Sequence, residues 1–244
     1  MDRVIYTAMS GAKHLLHRQE TLANNLANAN TTGFRADIAA LRAVPVRGQE
    51  AGTRVAAVET TIGSDFTPGP IVATGRDLDV AIQGAGWLAV QAADGAEAYT
   101  RAGSLQVAPD GTLTLPNGLP VLGEGGPIVV PANAALTIAA DGTISARTAG
   151  QSATNAVGRL KLVNPPTEEL SKGTDGLFRL KSGEAAEADA DVRLVAGSLE
   201  GSNVNVVEAM IGMISAARQF ELQLKLLDAA RDNEQKANAV IASA

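Results

Sequence analysis

The chain contains no cysteine in its 244 residues. That excludes disulfides, thiolate metal ligands and cysteine nucleophiles, and it leaves the redox compartment open. Aromatic residues make up only 3% of the sequence, with a single tryptophan, Trp87. Such scarcity argues against base-stacking platforms and against a large aromatic ligand pocket. Lys and Arg number 20 against 26 Asp and Glu, a net charge of −6, and the positive residues form no cluster. Nucleic acid is therefore not an expected partner. No stretch approaches the ~18 to 20 consecutive apolar residues of a bilayer span, so no membrane insertion is expected. Near the start the longest apolar run is Val4 to Tyr6, and polar or charged residues from Thr7 to Arg18 interrupt any leader-like segment. The chain is expected to be cytoplasmic, or to leave the cell by a route that cleaves no hydrophobic leader.

What the sequence does have is a pair of matching ends. At 45% hydrophobic residues it can bury a core as one large domain or two. Near the C-terminus, Val206, Met210, Met213, Ala217, Phe220, Leu224 and Leu227 alternate steps of four and three, the seam of a heptad repeat. Val207, Ile211 and Ile214 widen that face, which leaves room for several packing neighbours. Beyond Leu227 the seam positions turn polar at Arg231, Glu234 and Asn238 until Ile241. Asn205 followed by Glu208 reads as a capping box, so the helix should start near Val206. At the other end Ile5, Ala8, Ala12, Leu15, Gln19, Leu22, Leu26 and Ala29 form a thinner stripe. Seams at both termini favour helices that pack together and against other subunits; a plain pair of helices covering one domain's core is the simpler alternative.

Between the ends the texture changes twice. Asn30-Thr31-Thr32-Gly33 makes a turn, with Gly33 suited to a positive φ just past a helix end. From Phe34 to about Gly75 the pattern is weak and reads as a connecting arm of extended, irregular backbone. From Asp77 onward short apolar runs alternate with turn dipeptides: Asp94-Gly95, Asp110-Gly111, Asn117-Gly118 and Asp141-Gly142. The expected fold is α+β: long terminal helices forming a coiled coil, plus a central antiparallel β sandwich or open barrel. The domain reading is 1–33 for the N-terminal helix, 34–75 for the arm, 76–200 for the β-rich domain and 201–244 for the C-terminal helix.

Chemistry finds little support. His14, His17 and Glu20 lie about a turn apart, but they drift around the helix beside Arg18 and read as a solvated face. Gly84-Ala85-Gly86 lacks the third glycine and the following helix of a dinucleotide fingerprint, so it reads as a tight turn. Asp77 with Asp79, and Asp189 with Asp191, pair on strand faces without a histidine or a pocket nearby. Ser10, Ser104 and Ser145 have no base in sequence context. No enzyme activity, cofactor or metal is expected.

Two motifs go beyond these generic signals. Ala23-Asn24-Asn25-Leu26-Ala27-Asn28 with Thr32-Gly33-Phe34 resembles the N-terminal motif of the bacterial flagellar axial proteins, the rod and hook family. Ser202-Asn203-Val204-Asn205-Val206-Val207-Glu208-Ala209-Met210, continued by Arg218-Gln219-Phe220-Glu221, resembles that family's second terminal motif. Asp79 to Gly84, Gly86-Trp87 and Tyr99 to Gly103 are similar to the β domain of its rod proteins. The opening Met1-Asp2-Arg3, Trp87 and the length look most like a proximal rod subunit; a distal one, the alternative, carries Phe-Phe where this chain has Trp87-Leu88.

The resemblance implies a structural subunit of the flagellar basal-body rod, a drive shaft whose inner tube is lined by paired terminal helices. It implies other proximal and distal rod proteins, and copies of the chain itself, as partners, with export by the flagellar type III machinery. The assembly surface it points to comprises Asn24, Asn25, Leu26, Asn28, Gly33 and Phe34 at one end. At the other it comprises Asn203, Asn205, Val206, Met210, Met213, Ala217, Phe220, Leu224 and Leu227. The competing reading from another class is a binding module on a helical stalk, with Trp87 as its anchor.

Overall fold

The computed structural model describes residues 2–45, 55–132, 134–148 and 153–242. A helix α1 (Asp2–Ala27) is followed by the strands β1 (Asp37–Pro45), β2 (Val55–Ser64), β3 (Ile71–Ala73) and β4 (Val80–Gln83). Next come β5 (Trp87–Gln91), β6 (Glu97–Thr100), β7 (Gln106–Val107), β8 (Leu113–Thr114), β9 (Leu122–Gly123) and β10 (Gly126–Pro127). Then follow β11 (Ala134–Ile138), β12 (Thr143–Thr148), β13 (Asn155–Arg159) and β14 (Leu162–Val163). The last strands are β15 (Leu170–Lys172), β16 (Phe178–Leu180), β17 (Arg193–Ala196) and β18 (Ser198–Glu200), before the long helix α2 (Val206–Ala242). The fold is α+β, with the two terminal helices packed together and several small antiparallel sheets between them in sequence.

The chain divides into two compact units: a helical unit of residues 1–29, 37–65 and 204–244, and a β body of residues 30–36 and 66–203. In the helical unit α1 and α2 run antiparallel. A Cβ on Gly11 would meet Gln223 at 3.3 Å, and one on Gly212 would meet Leu22 at 3.1 Å. Asn205 caps α2 through its Oδ1, which accepts the backbone N–H groups of Val207 (3.1 Å) and Glu208 (3.2 Å), as its sequence position predicts. On α1 the stripe Ala12, Leu15, Gln19, Leu22 and Leu26 is sheltered as expected. The side chains of Ile5, Ala8, Glu234, Asn238 and Ile241 lie outside the described residues.

The buried side of α2 differs from the predicted stripe. Ala209 and Ala216 are buried and Met213, Ala217, Phe220 and Leu227 half-buried, while Val206, Met210 and Leu224 are exposed. The reason is steric. Close approach to α1 favours the small residues Ala209, Gly212 and Ala216, so the helix turns and rotates its bulkier residues to the edge.

The weak stretch after Gly33 also holds more structure than the sequence suggested. β1 and β2 form a long antiparallel hairpin with one register shift between Ala40 and Leu41. It packs on α1 within the helical unit. In the β body the largest sheet has five strands in the order β14-β5-β6-β16-β15, and β11-β12-β13 make a three-stranded meander. Its apolar core includes Leu88, Val90, Leu105, Leu113, Val121 and Ile144. All four predicted Asx-Gly dipeptides form tight hairpin loops. In each, the Asp or Asn Oδ1 accepts the N–H two residues on, and the glycine takes a positive φ as the bulge residue of a three-residue loop. These bonds hold the exposed carboxyls of Asp110 and Asp141 below the usual carboxylate range.

Candidate assembly surfaces

The asparagine motif closes the end of α1. Asn25 is buried, and its amide makes two bonds to one residue: Nδ2 donates to the Asp37 carbonyl at 2.9 Å, and Oδ1 accepts the Asp37 N–H at 2.8 Å. A primary amide carries the same donor and acceptor pair as a peptide group, so Asn25 serves the start of β1 as a strand neighbour would. Asn24 Nδ2 donates to Asp37 Oδ2 at 3.0 Å, and Asn28 Nδ2 donates back to Asn24 at both Oδ1 (2.8 Å) and the carbonyl (3.0 Å). Leu26 is half-buried. The motif is therefore used within the chain, where it ties helix to hairpin.

The second half of the motif belongs to the β body. Gly33 has φ +69°, and its N–H donates to the Glu200 carbonyl at 2.8 Å. A Cβ there would lie 2.2 Å from the Arg101 backbone carbon, so only glycine fits. The Phe34 carbonyl accepts the Asn203 N–H at 3.3 Å, and the Ala36 N–H donates to Asn203 Oδ1 at 2.8 Å. Asn203 Nδ2 donates to the Thr67 carbonyl at 3.0 Å. The Lys172 ammonium sits 4.0 Å above the Phe34 ring and donates to the Arg35 carbonyl at 2.9 Å. Gly33, Phe34 and Asn203, named by sequence 170 residues apart at the extremes, thus meet in one clasp.

Beneath the clasp lies a charged centre that the sequence reading missed. Glu200, 1% exposed, pairs with two buried arginines: Arg35 Nη2 at 2.7 Å and Arg101 Nη1 at 3.0 Å. Arg101 Nη2 also donates to the Gly84 carbonyl at 2.7 Å, and Glu200 Oε1 accepts the Gly69 N–H at 3.0 Å. No nitrogen of the Arg35 guanidinium has a hydrogen bond of good geometry, so its contact with Glu200 is ionic alone. Burial lowers the Arg101 pKa; Glu200 opposes that shift and Arg35 adds to it. Both guanidinium carbons lie over Trp87, at 5.4 Å for Arg101 and 6.0 Å for Arg35. Trp87 itself is buried against Phe178, with centroids 4.6 Å apart, and edge-on to Phe66 at 6.0 Å. It is a core residue and offers no exposed anchor for a ligand. The available signal was Arg101 within the Tyr99 to Gly103 motif; nothing around Glu200 in sequence marks it.

Apolar surface is left uncovered on α2. Val207, Ile211 and Ile214 are 65%, 63% and 56% exposed, with Met210 and Val206 beside them. At about 100° per residue, Ile211 lies on the far side of the helix from the buried Ala209 and Ala216. The first three turns are thus apolar on two opposite faces, of which α1 covers one. His14 and His17 hold no metal arrangement: His17 Nδ1 pairs with Glu20 at 3.0 Å, and no metal-ligand cluster occurs among the described residues. No described helix is long and apolar enough to cross a membrane.

Comparison with known proteins defines the class first. Residues 5–35 match the family described as Flagella basal body rod protein, and residues 195–240 match Flagellar basal body rod FlgEFG protein C-terminal. Residues 81–146 match Flagellar hook protein FlgE/F/G D1 domain. These are axial structural proteins of the flagellum, and none is an enzyme. Over nearly its full length the chain is 52% identical to the flagellar basal-body rod protein FlgF of Escherichia coli K12, covering 99% of both chains. It is 35% identical to FlgF of Caulobacter vibrioides over 93% of each. It is 31% identical to the rod protein FlgG of Bacillus subtilis, covering 93% of this chain and 94% of that one. The chain belongs to the FlgF family of flagellar basal-body rod proteins.

Proposed function

We propose that this structural rod subunit joins its neighbours through its terminal helices, with the exposed start of α2 as the principal contact. The observation that carries this reading is the outward stripe Val207, Met210, Ile211 and Ile214. Four large apolar side chains in solvent, clustered at the start of one helix, mark a surface that another protein covers. As a rod subunit the chain assembles with other rod subunits; the finer reading places it in the proximal rod, in the periplasmic space, next to proximal and distal rod proteins and copies of itself. It reaches that place by the flagellar type III export route. The unit that assembles is the helical one, residues 1–29, 37–65 and 204–244, and residues 30–36 and 66–203 form a separate body. Met213, Phe220 and Leu227 support this surface from within, by fixing α2 against α1. Asn25, Gly33 and Asn203 support it by setting where the chain leaves each unit. An Ile211→Glu chain expressed in place of the original provides the test. Basal bodies purified from such cells should lack the subunit and a completed rod; normal incorporation would overturn the proposal.

A further inference from the structure

The helical unit carries a second unfilled feature. A groove of about 320 Å³ runs between α1 and β1, with Leu22, Ile38 and Ala39 as its apolar lining and His14, Arg18 and Asp37 as its polar members. Ile38 is exposed, and His14 Nδ1 is buried with no hydrogen-bond partner. Asp37 is engaged by Asn24, whereas Arg18 has no ion-pair partner among the described residues. The α2 stripe has the complementary character. Glu208 is exposed one turn before Ile211, and it too has no ion-pair partner among the described residues.

We infer that the groove of one copy receives the start of α2 from a second copy, Val207 and Ile211 entering against Leu22 and Ile38 while Glu208 meets Arg18. The inference rests on the proposed role of α2 in assembly and names the surface that receives it. Each feature lacks within the chain what the other offers. The groove has an apolar lining and, beside the Asn24-bonded Asp37, an Arg18 with no ion-pair partner among the described residues; the helix has an apolar stripe and a Glu208 with none. Groove and stripe are different surfaces, so the contact is heterologous. Such contacts repeat head to tail and build rings or open helical arrays rather than closed two-fold dimers. That is the geometry an axial structure needs.

The absence of native cysteine makes a clean test available. Ile38→Cys and Ile211→Cys chains, each otherwise intact, are mixed under mild oxidation, with Asp94→Cys as a control on the body. The mixed Ile38–Ile211 disulfide should form, and neither residue should link to position 94. In sedimentation, R18E and E208R should each weaken self-association about tenfold or more, because like charges then oppose, and the double variant should recover it. If the chain self-associates but no mixed disulfide forms and the charge swap changes nothing, the groove is not the receiver. The assembly role of α2 would survive that result, since its own test is whether the Ile211→Glu chain is incorporated into basal bodies. Failure of the original chain to self-associate at any concentration tested would exclude a second copy as the occupant.

Discussion

The β body and the helical unit spend their side chains in opposite ways. In the body even the charges are interior: Arg35 and Arg101 both pair with Glu200, and both guanidinium groups lie over Trp87. Its main apolar residues are covered by its own strands and turns. In the helical unit the polar motif around Asn25 is internally paired, yet isoleucine, valine and methionine on α2 face solvent. The body buries most of its large apolar side chains in its own core, whereas the start of α2 leaves a stripe of them in solvent. The lesson for an assembly protein is that function is to be sought where packing is left undone. Well-made motifs, however recognisable, secure the fold that presents that surface.

The sharpest way to break this contrast is to remove the body's central anion. Glu200→Ala leaves two guanidinium groups buried without a counter-charge, and breaking a buried pair in this way costs about 3 to 5 kcal/mol. Chemical denaturation should show a loss of that order, with Arg35→Met less damaging because Arg101 keeps Glu200. Ile144→Ala, at a residue fully buried in the body, should cost about 2 to 5 kcal/mol for the methylenes lost and the cavity left. Gly33→Ala should follow, at roughly 1 to 3 kcal/mol from backbone strain alone. The same change at Gly118, also at positive φ but facing open space, should be milder.

A smaller effect is the pH dependence set by Tyr99. Burial pushes the Tyr99 hydroxyl up to about 12 against the opposing Ala186 N–H bond, aided by Glu97, to which the hydroxyl donates at 3.0 Å. Its folded value lies above the unfolded value near ~10. Tyr99 therefore contributes stability that is fully present below about pH 10 and is lost as the pH rises towards 12. Absorbance of the phenolate should show Tyr99 titrating late and coinciding with unfolding; titration of Tyr99 near its ordinary value with the fold intact would contradict its burial.

How much of this was legible in the sequence depended on the range of the signal. Periodicity along a helix is local, so both terminal helices, the Asn205 cap and the four Asx-Gly loops could be read directly. The rotation of α2 could not, because it depends on which small residues the other helix meets. The hairpin of β1 and β2 was hidden because its strands lack a clean alternation and its stability comes from α1. The motif residues were visible, but their partners were not: Asn25 pairs with Asp37, and Gly33 with Glu200, 167 residues away. Arg35 directly follows the motif, but a single arginine in sequence gives no hint that it is wholly buried.

The smallest expected stability effect is the one that tests the comparison most directly. Ile214→Ala repeats on α2 the substitution made at Ile144, with the same atoms removed. Ile214 is 56% exposed, so its truncation leaves no cavity, and alanine is the better helix former. Denaturation should place the variant within about 0.5 kcal/mol of the original chain. Its self-association, measured by sedimentation on the same samples, should nonetheless fall. A loss of stability as large as that at Ile144 would mean that the chain itself covers this face in solution. The contrast between the body's buried core and the open face of α2 would then fail. Unchanged stability with weakened association would mean that the side chain is held in reserve for a neighbour, because nothing inside the folded chain depends on it.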